Sequence, residues 1–267
     1  MSRALALLLV LAAPVLHAQG RAPSYGAAQF RCVRYEERSA SEIVTETGTR
    51  RASARTGRSG ELVLAGVPRT DGVELLAWYD RLAVWRLAAG DSIAPDTDGV
   101  LGGRFRGALS LDGRYTAAER PFVPDPVREL SDVAGALDDL LPPLPPRLLQ
   151  VGEAFRPGDS LGIQRLADSA GLQRYRVERE VAGRVTPSAG DTLTPPIDRT
   201  VRDVGTFSWH AEDGLSRYER RLDMEVRVPP GGAVKRAVRS EVTQRATLVR
   251  LAEDAGACTG LTPDDFE

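Results

Sequence analysis

The chain has 267 residues, with 35 Lys and Arg against 37 Asp and Glu, a formal net charge of −2, two cysteines and two histidines. That faintly acidic balance excludes the basic face by which proteins hold nucleic acid. Arg supplies every basic residue except Lys235; its planar fork suits bidentate pairing with carboxylates, although the base composition of the gene is a sufficient cause of the bias.

Residues 1–18 read as a secretory signal peptide. Ser2 and Arg3 give a polar, basic start, an apolar run follows from Ala4 to Leu16, and Ala18 supplies the small residue before the cut. The run is shorter than the roughly 20 residues of a spanning helix. No cysteine stands at the junction, so the expected product is exported to the periplasm or the medium, soluble and without a lipid anchor. Residues 19–28 are expected to be a flexible lead-in. In an oxidising compartment Cys32 and Cys258 most simply pair, clasping the tail 253–267 to the first strand; free or catalytic thiols are the alternative.

A first β-half is expected over 29–121, with strands near Phe30 to Val44, Thr49 to Thr56, Glu61 to Val67, Val73 to Leu87 and Gly103 to Leu111, punctuated by Gly60, Gly66 and Pro68. Trp78 and Trp85 are seven apart, hence of opposite parity in an unbroken strand. Asp96-Thr97-Asp98-Gly99 looks like part of a calcium loop, but the following residues supply no further oxygen ligands or closing Glu, so a tight turn is the better reading and no metal is expected.

The connector 122–150 has a different pattern. Asp125 and Pro126 suit the start of a helix, and Val127, Leu130, Val133, Ala134, Leu137, Leu140 and Leu141 recur at helical spacing until Pro142-Pro143 and Pro145-Pro146 end it. This predicts one central amphipathic helix. Its apolar stripe needs a cover, and ordinary packing on the sheet is the plain solution. The same stripe makes Val127, Leu130, Val133, Leu137 and Leu140 the candidates to face an apolar ligand, or to bind another protein.

A second β-half over 151–252 carries the clearest alternation. From Arg217 to Val228 the even positions include Tyr218, Leu222, Met224, Val226 and Val228, while the odd ones are all charged. That is a strand with one buried and one wet face. Pro229-Pro230-Gly231-Gly232 turns the chain into a return strand with Val234, Val238, Val242, Ala246 and Leu248 on one face. Upstream, Tyr175 to Val185 and Ile197 to Trp209 alternate in the same way, with a bulge or close backbone approach expected at Gly205.

Gly158-Asp159-Ser160-Leu161 matches the signature of a lipase and esterase family, yet the mature chain has one histidine, His210, and no asparagine for that family's oxyanion donor. The same pattern recurs as Gly90-Asp91-Ser92-Ile93 and Gly190-Asp191-Thr192-Leu193. It therefore reads as a turn that opens a strand, and no catalytic residue is assigned. The two copies are followed by Arg106-Gly107-Ala108-Leu109-Ser110-Leu111 with Asp112-Gly113, and by Val204-Gly205-Thr206-Phe207-Ser208-Trp209 with Asp213-Gly214, which suggests one β-unit duplicated.

The step Leu141-Pro142-Pro143-Leu144-Pro145 to Val151-Gly152-Glu153-Ala154-Phe155, with the later Gly205-x-Phe207-Ser208-Trp209 and Asp213-Gly214-Leu215, resembles exported bacterial β-rich proteins. Their arrangement is similar to the lipoprotein-carrier (LolA-like) class, and the resemblance implies an unclosed barrel with a helix against its concave side and an apolar cavity. The expectation is thus a mainly β protein: long antiparallel strands in a curved sheet or half-barrel, two related β-halves and one central helix. It is expected to be non-enzymatic and to need no cofactor. It would bind a lipid or other apolar small molecule between sheet and helix, or alternatively serve as an envelope protein that contacts or assembles with another. A hydrolase comes third.

Overall fold

The computed structural model describes residues 21–186, 195–253 and 255–266. The leader at 1–18 and the repeat member Gly190-Asp191-Thr192-Leu193 lie outside these residues. Twelve antiparallel strands form one open sheet: β1 (Val33–Thr47), β2 (Arg50–Arg69), β3 (Gly72–Ala88), β4 (Asp91–Ile93), β5 (Phe105–Ser110), β6 (Tyr115–Glu119), β7 (Ala154–Phe155), β8 (Leu161–Ser169), β9 (Leu172–Val185), β10 (Ile197–His210), β11 (Gly214–Val228) and β12 (Val238–Arg250). Their order is β6-β5-β3-β2-β1-β12-β11-β10-β9-β8-β7, with β4 on the side of β3. The first and last long strands therefore meet at the centre, in register from Tyr35 opposite Arg250 to Thr47 opposite Val238.

The alternation seen in the sequence becomes two distinct faces. The outer face of β9 to β12 is a lattice of charged side chains paired along and across strands, such as Arg221 with Asp223 and Arg239 with Glu225. The inner face carries the main core, including Tyr35, Leu62, Leu64, Tyr79, Phe105, Tyr175, Phe207, Trp209, Tyr218 and Leu248, with the connector packed against it. Tyr115 of edge strand β6 and Leu161 of β8, near the opposite edge, line one and the same cavity beside the connector. The sheet thus wraps round the connector without closing.

The central helix is corrected. Within the connector only α1 (Asp125–Arg128), a single turn, is helical. Beyond it Ala136 N–H donates to Val133 O, Asp138 to Gly135 O and Leu140 to Leu137 O, a chain of i to i+3 turns. The Asp132 side chain accepts the Gly135 N–H at 2.9 Å, the kind of local side-chain bond that competes with a helical ladder. The apolar spacing still serves burial: Val127, Val133, Ala136, Leu137, Leu140 and Leu141 all enter the core.

Two further expectations change. Residues 49–56 and 61–67 belong to one strand, β2, because its glycines lie beneath aromatic rings of β3: a Cβ on Gly57 would meet Trp85 at 2.4 Å, and one on Gly60 would meet Tyr79 at 3.1 Å. An extra residue in β3, where pairing slips between Glu61 and Leu62 of β2, moves the inward set from Val73, Leu75, Ala77 and Tyr79 to Leu82 and Val84. Trp78 and Trp85 therefore share the outer face. Asp96 to Gly99 forms a tight turn in which Asp96 accepts the Asp98 N–H and the buried Thr97 hydroxyl donates to Leu82 O.

Gly107 and Gly205, equivalent positions in the suspected repeat, have the same environment. A Cβ would meet Tyr115 at 2.8 Å in one case and Tyr218 at 2.5 Å in the other. Each tyrosine lies on the strand that returns from the Asp-Gly turn, diagonally across the pair. The glycine lets the ring lie flat on the neighbouring backbone, as aromatic residues do when they cover strand glycines. The hairpins differ in place, however, since β5-β6 is at an edge and β10-β11 is internal. Gly205→Val is expected to cost about 1–3 kcal/mol through overpacking. Urea unfolding checks it, and an unchanged midpoint would refute the close-approach account.

The cysteines join as expected: Cys32 and Cys258 form a disulfide with Cα atoms 5.8 Å apart across 226 residues of sequence. It pins the tail over a second, outer-face cluster of Val63, Ala65, Leu76 and Trp78, against which Leu261 and Phe266 pack. Such a bond fits an oxidising compartment. Among the described residues no helix is long and apolar enough to cross a membrane.

Candidate functional site

The strand parity that buries Tyr35 and Leu62 also aims two carboxylates inward, Glu37 from β1 and Asp203 from β10. Glu37 is 2% exposed. It accepts two bonds from the Arg58 guanidinium, at 2.8 and 2.6 Å, and the hydroxyl of Tyr79. Burial, with Glu37 beside it, pushes the Tyr79 phenol well above its usual range, so it remains a donor. Asp203 is held bidentately by Arg220, both bonds 2.8 Å, and is approached by Arg179 at 3.2 Å.

These arginines have a second task. Arg58 donates to Asp132 O at 3.0 Å and Arg220 to Asp139 O at 3.2 Å, while Arg120 donates to Ala134 O at 2.7 Å and grips the Asp138 carboxylate. A chain of i to i+3 turns leaves carbonyls without ladder partners, and the guanidinium forks supply them. Tyr25 adds a bond from its hydroxyl to Pro142 O at 3.0 Å. Tyr25 itself is fully buried within the segment expected to be a flexible lead-in.

Cavities remain on both sides of the clamped connector. One, of about 320 Å³, lies between Ser39, Ser41, Thr56, Gln244 and Ala246 on the sheet and Leu130, Asp132, Asp139 and Leu140 on the connector. The other, of about 300 Å³, is walled by Tyr115, Leu141, Leu161, Val177 and Arg179. Tyr218, Arg220 and Asp139 border both.

The sequence-derived candidates are distributed as follows. Val127, Val133 and Leu137 are buried in the core. Leu140 is buried and also borders the larger cavity, where partly buried Leu130 joins it. The arginine clamps were not anticipated, although a charge at an inward parity position, Glu37 after Val33 and Tyr35 or Asp203 between Val201 and Phe207, is a legible signal.

Ser160 and His210 are not brought together. Ser160 precedes Leu161, which pairs with Arg179, itself opposite Asp203. His210 lies seven residues further along β10, roughly 23 Å at about 3.3 Å per residue. His210 instead binds its own turn, its Nδ1 2.9 Å from an Asp213 carboxylate oxygen. Ser160 is exposed in a bend, with its carbonyl accepting the Glu180 N–H. These two residues cannot act as nucleophile and base in one site.

No family model matches the chain, and no curated protein is similar to it in sequence. Among solved structures, lipovitellin, in a study of its lipid–protein interactions, matches over 86% of this chain at 11% identity with a TM-score of 0.51. The chain spans about a quarter of that protein, 26% of its length. Neisserial surface protein A aligns over 82% of this chain and 97% of its own, at 10% identity and a TM-score of 0.26. A DUF1329 family protein from Desulfovibrio piger aligns over 88% of this chain and 89% of its own, at 16% identity and a TM-score of 0.18. The first likeness concerns the fold, a large antiparallel β-sheet.

Proposed function

We propose that this is an exported, non-enzymatic protein that holds a lipid or other apolar group on the inner face of its open sheet, beside the connector. The observation that carries this reading is the pair of cavities left where the connector meets the sheet, each with aliphatic residues in its wall. Largely pre-formed concave sites with a few convergent polar groups are the usual form of small-molecule sites. The likeness in fold to lipovitellin, a protein studied with its lipids, supports the same reading. Organic extraction of natively purified protein followed by mass spectrometry is expected to recover an apolar compound, and the emptied protein is expected to bind a fluorescent apolar probe.

A second reading is a contact with another envelope protein. Phe122, 78% exposed at the start of the connector, is the side chain such a contact would cover. An empty extract together with no probe binding would retire the apolar-ligand reading in its favour.

A further inference from the structure

The inner face changes character along the strands. Beside the connector it is aromatic, and four residues further along each strand it is polar. Ser41, Gln244, Asp203 and Arg179 lie on one rung, interrupted only by Leu222. The next rung is apolar: Ile43 pairs with Val242, Val242 with Met224, Met224 with Val201, and Val201 with Val181. No bulge intervenes in these strands, so all five share the face of Tyr35, Leu248, Tyr218, Phe207 and Tyr175. Beyond it Thr45, Ser240 and Arg199 restore polarity, with Val226 between them. Val181 is 48% exposed, and Ile43, Val242 and Met224 are half-buried.

The shape of this stripe selects its occupant. Five strands at about 4.8 Å make it roughly 19 Å long, the length of a long acyl tail, and it is one side chain wide. A protein partner or a bilayer would need a broader patch.

The larger cavity, whose floor includes Ser41 and Gln244, adjoins the stripe. Its two guanidiniums, Arg58 and Arg220, are already bound to Glu37 and Asp203, while Asp132 and Asp139 add acidity at its wall. Neither of the guanidiniums lining the cavity is unspent for an anionic head. A hydroxylated, uncharged head would find Ser41, Thr56 and Gln244.

The geometry points to a site for a single-chain amphiphile with an uncharged, hydroxylated head, such as a monoacylglycerol. Its tail lies across the strands along Ile43, Val242, Met224, Val201 and Val181, and its head occupies the cavity at Ser41 and Gln244. This rests on the apolar-ligand reading and adds the place and class of the ligand.

The test is calorimetric titration of the full exported chain, stripped of bound lipid, with monooleoylglycerol, oleate and oleoyl lysophosphatidylglycerol below their micellar concentrations. Monooleoylglycerol is expected to bind about ten-fold or more tightly than either anion. Val181→Glu and Met224→Glu are each expected to weaken it about ten-fold by setting a charge against the tail. Val181 is exposed enough for its variant to keep the parent melting temperature. Equal or tighter binding of the anions would overturn the head assignment. Undiminished binding by Val181→Glu and Met224→Glu would overturn the stripe, while leaving a ligand beside the connector intact. Binding of no amphiphile and no apolar probe would overturn both this inference and the function it rests on.

Discussion

Glu37→Ala is expected to destabilise the protein by about 3–5 kcal/mol, the usual penalty for leaving one member of a buried ion pair without its partner. The Arg58 side chain is only 13% exposed, and without Glu37 its remaining bond is to the Asp132 carbonyl. Tyr79 would lose its acceptor in the same stroke. The carboxylate therefore acts at three levels: it neutralises a guanidinium on β2, satisfies a phenol on β3, and fixes the arginine that clamps the connector.

Equilibrium urea unfolding should show a lower midpoint at constant slope, which identifies a change in stability as opposed to a change in the unfolded state. The control is Glu37→Met with Arg58→Met, because apolar replacement of a whole buried pair is often close to neutral. The double variant is expected to be more stable than Glu37→Ala. A single variant that loses less than about 1 kcal/mol would show that water reaches the pair and that the burial argument fails.

The second large effect is removal of the disulfide. Cys32→Ser with Cys258→Ser is expected to cost about 2–5 kcal/mol, the upper figure being that of a chain-entropy account for so long a loop. The bond spans 226 residues, so it restricts nearly the whole unfolded chain. In the folded state it holds Leu261 and Phe266 against Trp78. Those contacts alone are too few to order the tail against its conformational entropy. Two readouts separate the contributions: urea unfolding reports the total, and a red shift of tryptophan emission under native conditions reports release of the tail from Trp78. Unchanged stability with unshifted emission would mean that the tail is held without its covalent link.

Much of this was legible because it is local. Alternation of charged and apolar residues in β9 to β12 is a period-two signal that a strand obeys whatever surrounds it, and Asp112-Gly113 and Asp213-Gly214 mark turns by their own chemistry. Pairing of Cys32 with Cys258 followed from there being no other partner. Less legible were the glycines. Gly57 and Gly60 look like breaks in a sequence, and only the rings of Trp85 and Tyr79 on the next strand make them strand residues. Likewise, one extra residue in β3 reverses a parity that counting alone assigns to Trp78 and Trp85.

The sequence by itself determined the alternating strands of the second half, their wet outer face, the disulfide and the apolar spacing of the connector. Tertiary structure decided the connector's conformation and the site. A stripe at helical spacing says which side chains are buried, but a helix must also win the competition for its backbone. Here the carbonyls of Asp132, Ala134 and Asp139 are taken by Arg58, Arg120 and Arg220, two of them more than 70 residues distant in sequence. A row such as Ile43, Val242, Met224, Val201 and Val181 exists only once register is set, because strand pairing brings into line residues that no sequence period relates.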